Sequence, residues 1–214
     1  MNPDASRPAL RGLYAITDED LIPAARFSHS VEQALRGGAA IVQYRDKSGD
    51  MDKRLRQASE LRELCTAHGA LLIINDDIEL ANKVSADGVH LGVHDAGLYD
   101  ARVAVGDDFI IGVSCYANFE RARLLSLQGA DYVAFGAFYS SPTKPDAVQA
   151  APALLSEARE KLAVPACAIG GIDASNAGAL IHAGADMVAV VSGLFAQPDI
   201  EATARRLRAL FHPD

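Results

Sequence analysis

The sequence predicts a single α/β domain, a closed (β/α)8 barrel of the TIM type. Three observations point there. Eight short Val/Ile-rich runs alternate with amphipathic stretches along 214 residues, the signature of parallel strands covered by helices. One junction recurs, in "RGGAAIVQYR", "VSADGVHLG", "QGADYVAFG" and "HAGADMVAVVS": a helix-like segment stops at Gly or a small residue, and Ala or Asp then opens a strand. Polar residues also follow at least six different strands. An open doubly wound sheet would gather its ligand groups at one switch point, whereas a barrel collects the ends of all its strands at one mouth.

The strands are expected near Leu13–Thr17, Ala40–Arg45, Leu71–Asn75, Gly88–Leu91, Ile110–Ser114, Tyr132–Phe135, Pro165–Ile169 and Met187–Val191. "MDKRLRQASELRELCTAHG" reads as a helix that places Leu55, Leu61 and Leu64 among charges. "NFERARLLSLQG" reads as one that starts on an Asn cap and stops at Gly. No composition shift marks a boundary, so residues 1–214 form one domain, with residues 1–11 expected as a flexible extension. "YSSPTKPDAV" is a loop within it.

A hydrophobic content of 50% with 22% charged residues describes a globular chain. The formal net charge of −8 disfavours a nucleic-acid or anionic-membrane partner while allowing a local basic pocket. The polar N-terminal stretch has no secretory core, and no apolar run approaches the ~18 residues of a membrane helix. Three widely spaced cysteines suggest neither a disulfide framework nor a zinc site. A cytoplasmic protein acting on small molecules is expected, with the oligomeric state, a homo-oligomer included, left open.

The residues that follow each strand are the candidates for chemistry. "QYRDK" after the second strand alternates Gln43, Arg45 and Lys47, which an extended chain would aim to one side, a pattern suited to a phosphate or diphosphate. A solvated surface run is an equal reading of this segment alone. Asp76 follows the third strand and Asp95 the fourth, and neighbouring parallel strands would let both carboxylates reach one Mg2+ shared with substrate oxygens. A single acid in such a place is more often a helix cap, and Asp77, directly before "IELANKV", is read as one. His90, within "GVHL", reads as a satisfied core histidine. Ser114 lacks a nucleophile elbow, and Cys115 has no visible base partner. Ser141, Pro142, Thr143 and Lys144 lie in a long loop after the sixth strand, stiffened by prolines. Gly171, Val191 and Ser192 follow the last two strands, where many barrels bind phosphate through loop amides. Each glycine there would equally serve a tight turn.

Taken together, "QYRDK", "INDD", "GVHLGVHD", "GVSCY", "SPTKPDA" and "AIGGI" resemble thiamine phosphate synthase, in that family's order and near its spacing, from about Leu13 to the last strand. The resemblance implies a transferase that joins hydroxymethylpyrimidine diphosphate to a thiazole phosphate and releases pyrophosphate. It implies that Gln43, Arg45 and Lys47, with the neighbouring Tyr44 and Asp46 and with Asn75, hold the pyrimidine diphosphate. Asp76 and Asp95 would bind Mg2+, one per active site. Ser114 would sit by the pyrimidine, and Ser141, Pro142 and Thr143 by the thiazole. Lys144 would reach the pyrophosphate, while Gly171, Val191 and Ser192 would hold the thiazole phosphate. Arg45, Lys47, Ser114 and Lys144 would then carry the catalytic work. The chain departs from the family pattern at Val93–His94, and at Ser140–Ser141, where a hydroxyl is kept. Two alternatives are the related thiazole tautomerase, which needs no diphosphate–metal site, and a non-catalytic phosphate-ligand binder, whose affinity would be indifferent to Mg2+.

Overall fold

The computed structural model describes residues 9–93, 97–140 and 149–212. Eight parallel strands close into one barrel in chain order, each paired with the next and the eighth with the first. They are β1 (Gly12–Ile16), β2 (Ile41–Tyr44), β3 (Leu71–Asn75), β4 (Gly88–Leu91), β5 (Ile110–Tyr116), β6 (Tyr132–Phe135), β7 (Ala166–Ile169) and β8 (Met187–Val190). Around them lie α1 (Phe27–Arg36), α2 (Met51–His68), α3 (Ile78–Lys83), α4 (Leu98–Val105), α5 (Phe119–Leu127), α6 (Ala153–Lys161), α7 (Ala177–Ala183), α8 (Ser192–Phe195) and α9 (Ile200–Ala209). Part of the expected N-terminal extension, residues 1–8, lies outside the described residues. Leu10, within the rest of it, packs on the barrel interior.

The period-2 geometry of a strand sorts side chains into two layers. On β1, Leu13 and Ala15 join the shell between sheet and helices, whereas Tyr14 and Ile16 enter the barrel interior with Ile41, Ile73, Tyr132 and Met187. The recurring Asp at the strand openings has a specific task. Asp87, Asp131 and Asp186 each sit one residue before an even-numbered strand and accept the N–H of a residue on the preceding strand: Leu72 at 2.6 Å, Ile111 at 2.8 Å and Ala166 at 2.9 Å. Arg62 and Arg102 bind the first two carboxylates at 2.7 Å. The floor of the barrel is thus tied by charge-assisted bonds.

Asp50 caps α2 by accepting from Lys53 N, and Gly69 closes it in the left-handed conformation at φ 66°. The Asn cap expected for α5 is present. Asn118 accepts from Arg121 N at 2.9 Å, and Gly129 at φ 98° follows α5.

Candidate active site

The C-terminal ends of β2 and β3 frame a cleft of about 460 Å³ lined by Asp46, Lys47, Gly49, Arg54, Asn75, Asp76, Asp77 and Ile78. Among these, Asp76 takes φ 63°, a left-handed conformation that Asp tolerates better than most residues. Backbone in sparsely populated regions clusters at functional sites. Two bonds fix this turn: Asp76 N donates to His90 O across the β3–β4 pair at 2.9 Å, and Asn75 Nδ2 donates to the Asp76 carboxylate at 2.6 Å. Lys47 forms an ion pair with the same carboxylate. Asp77, one residue on, caps α3 through Leu80 N at 2.9 Å and pairs with Arg54 at 2.8 Å. The helix cap expected of Asp77 is therefore present in the geometry. Asp77→Ala is expected to cost about 0.5–2 kcal/mol, the worth of an N-cap, in a urea titration, with kcat retained.

The cations of the "QYRDK" segment do not share one side. The strand ends at Tyr44, and the chain then turns. Gln43 points into the barrel and donates to the Tyr14 hydroxyl at 2.8 Å. Arg45 is clamped to the loop after β1: its N–H donates to Thr17 Oγ1 at 2.9 Å and its guanidinium meets Asp18 at 3.4 Å and Glu19 at 3.9 Å. Lys47 N is held by Glu19 at 2.8 Å, while its half-exposed ammonium reaches Asp76. Acids hold these cations in place, and a phosphate would compete for them.

Tyr44 is a correction, whereas Asp46 lines the cleft. Strand alternation turns the Tyr44 side chain away from the mouth, where it donates to Gln57 at 3.0 Å and packs edge-on against Phe27 at 5.9 Å. Burial raises its pKa, so it stays neutral. The Asp46 carboxylate is almost wholly buried and spent on its own loop, accepting from Ser48 N at 2.8 Å and pairing with Lys53 at 2.5 Å. Its pKa is lowered by Lys53 and Ser48 against the opposing effect of burial.

Ser114 faces the interior at the end of β5, within 2.9 Å of His90 Nε2. On the opposite side of the mouth, Gly171 takes φ 64°, and a Cβ there would lie 2.7 Å from Ser140 O and 2.8 Å from Tyr139 Cβ. The turn demanded of this glycine is thus real, and it packs the β6 and β7 loops together. Val191 caps α8 and Ser192 is its first residue. Asp95, Ser141, Pro142, Thr143 and Lys144 lie outside the described residues, as does His94. Among the described residues no group of three His, Cys, Asp or Glu side chains is placed to hold a metal ion.

Thr17, Asp18 and Glu19 join the site without being among the residues expected there. The signal was available: "TDED" places acids directly after the first strand, as "NDD" does after the third. Arg54, in the first turn of α2, reaches the cleft without any local motif. His90 is the satisfied core histidine it was read as, bonded to Tyr132 and Ser114, but the tyrosines around it read as ordinary strand residues. Burial holds its pKa down at about 4, against 6.5 for a free imidazole. The unfolded chain therefore binds a proton between pH 6.5 and 4 that the fold resists. Stability from this group is full above pH 6.5 and falls by up to about 3 kcal/mol as pH drops to 4. Urea titrations across that range should show a smaller fall for His90→Asn. The thiols are inert: burial pushes Cys65 and Cys115 up to about 12.

A closed parallel barrel whose C-terminal mouth gathers paired cations, a strained carboxylate and glycine-rich loops is the build of a barrel enzyme acting on a phosphorylated small molecule. Residues 13–194 match the family model described as thiamine monophosphate synthase. The thiamine-phosphate synthase of Thioalkalivibrio sulfidiphilus is 55% identical over 202 residues, covering 94% of this chain and 96% of that relative. That of Thiobacillus denitrificans is 52% identical over 200 residues, covering 94% of each. A solved structure, the thiamine phosphate pyrophosphorylase from Pyrococcus furiosus, superposes with a TM-score of 0.85 at 32% identity, covering 94% of this chain and 95% of that one. The chain belongs to the thiamine monophosphate synthase family and is a transferase. A 3-hexulose-6-phosphate synthase structure at 18% identity and TM-score 0.69 shares the fold alone. No helix among the described residues is long and apolar enough to cross a membrane.

Proposed function

We propose that the protein joins hydroxymethylpyrimidine diphosphate to a thiazole phosphate, forming thiamine phosphate and pyrophosphate. The observation that carries this is the convergence of Lys47, Arg54, Asn75 and Asp76 on one cleft, with Arg45 beside it. A thiazole tautomerase would have no use for that cation-rich half of the mouth.

The bond between the pyrimidine methylene and the diphosphate oxygen breaks first, and its electron pair leaves with the diphosphate. Arg45, Lys47 and Lys144 neutralise the departing charge. The electron-rich aminopyrimidine supports the methylene cation, and the thiazole nitrogen attacks it to form the new C–N bond. Ser114 orients the pyrimidine, Ser141, Pro142 and Thr143 contact the thiazole, and Gly171, Val191 and Ser192 hold its phosphate. Catalysis is positioning and electrostatic stabilisation, with no covalent enzyme intermediate.

Asp76 suits one Mg2+ per active site: it is a hard oxygen donor lining the cleft, fixed by Asn75 and its own left-handed turn. Asp95 is the second proposed ligand. When bound, the ion supplies positive charge to the diphosphate oxygens. The test mixes the protein with both phosphorylated substrates, with and without Mg2+, and follows thiamine phosphate. Mg2+-dependent product is expected; no product with Mg2+ present overturns the reading.

A further inference from the structure

Five polar side chains from five strands form one continuous hydrogen-bonded chain through the barrel interior. Gln43 Nε2 on β2 donates to Tyr14 OH on β1 at 2.8 Å. Tyr14 OH meets Tyr132 OH on β6 at 2.8 Å, and Tyr132 OH meets His90 Nδ1 on β4 at 2.9 Å. His90 Nε2 meets Ser114 Oγ on β5 at 2.9 Å. Gln43, Tyr14, Tyr132 and His90 are buried; Ser114 is partly exposed, at the mouth. The His90 and Tyr132 rings stack with centroids 5.6 Å apart, so neither is free to turn away.

The direction of donation along this chain follows from counting hydrogens. Tyr14 accepts from the Gln43 amide and has one hydrogen, which goes to Tyr132. Tyr132 then gives its hydrogen to His90 Nδ1, because a buried hydroxyl hydrogen without an acceptor is costly. With Nδ1 accepting from Tyr132, the imidazole proton sits on Nε2 and is donated to Ser114 Oγ. The Ser114 hydrogen is then left to point into the mouth. Turning the Gln43 amide end for end would invert every link, move the proton to Nδ1 and draw the Ser114 hydrogen inward. The polarity of Ser114 is thus coupled to Gln43 across the barrel.

We propose that His90, held by Tyr132 as the Nε2–H tautomer, is a positioning residue that fixes Ser114 as a hydrogen-bond donor to a ring nitrogen of the heteroaromatic substrate. The tautomer stands on this structure alone; the identity of the ring rests on the synthase reading.

The experiment uses the full chain labelled with 15N-histidine. Multiple-bond NMR reports which imidazole nitrogen carries the proton, with His90 assigned among the six histidines by its absence in His90→Gln. Protonated Nε2 with unprotonated Nδ1 is expected; a proton on Nδ1, or an averaged pair, overturns the proposal. Calorimetry on wild type and Tyr132→Phe then compares hydroxymethylpyrimidine diphosphate with an analogue carrying C–H in place of the ring nitrogen. Wild type is expected to prefer the natural ring by about tenfold, one good hydrogen bond. Tyr132→Phe, with its tautomers mixed, should lose most of that preference, and Ser114→Ala all of it. A Tyr132→Phe protein that is less stable but keeps the preference would show a merely structural chain and overturn the proposal. Wild type that binds neither ring yet shows the Nε2–H form would sink the synthase reading and leave the tautomer standing.

Discussion

Asp76→Asn is expected to lower kcat/KM by at least about 10²-fold while leaving the protein folded. The substitution keeps shape and tolerance of the left-handed turn at φ 63°, so it removes charge alone. Losing one preorganised electrostatic group in a transfer of this kind typically costs about 10²–10³ in rate. The Lys47 ammonium loses its partner, but it is half exposed and is met by water, so the unfolding free energy should change by about 0.5 kcal/mol or less. The rate that remains should no longer respond to added Mg2+. Asp76→Ala should lose the same activity and, in addition, about 1–2 kcal/mol of stability, because alanine is strained at this φ. Full, Mg2+-dependent turnover of Asp76→Asn would remove this carboxylate from the proposed metal site.

Gly112→Ala is expected to be strongly destabilising. A Cβ at this position would lie 1.9 Å from Tyr132 Cζ and 2.3 Å from its hydroxyl oxygen. The ring cannot yield: it is fully buried, edge-on to Tyr14 at 6.1 Å and stacked on His90. Overpacking of this kind costs about 1–3 kcal/mol or more, and at this chain length about 2–4 °C of melting temperature accompanies each kcal/mol. Activity should fall as well, since the displaced tyrosine breaks the link between Gln43 and Ser114. The control is Gly178→Ala in α7, where the nearest atom is Leu210 Cδ2 at 3.9 Å. It should be neutral or stabilising by up to about 1 kcal/mol. Equal melting temperatures for the two variants would show that the interior relaxes around residue 112.

The eight strands were legible because each is a short apolar run bounded by a Gly or Asp junction, and they fall within a residue or two of the expected positions, β5 alone running two residues further. Caps were legible for the same local reason: Asp77 and Asn118 each sit just before a helical pattern. The duty of Asp77 could be read because capping depends only on distance along the chain. Tyr44 shows where local reading stops. Its neighbours in "QYRDK" are polar, and only the strand's register says that it faces α2 and not the mouth. Arg54 was invisible because an arginine in a first helical turn normally faces water.

The sequence by itself determined the barrel, its order of strands, its caps and the family to which the chain belongs, because these rest on periodicities and spacings a few residues long. The tertiary structure alone decided that Arg45 leans on Asp18 and Glu19, that Arg54 enters the cleft, and that Tyr14, Gln43, His90, Ser114 and Tyr132 share one hydrogen-bonded chain. Those contacts join residues up to 118 positions apart. Barrel closure brings them together, and no local pattern encodes which interior side chains then meet.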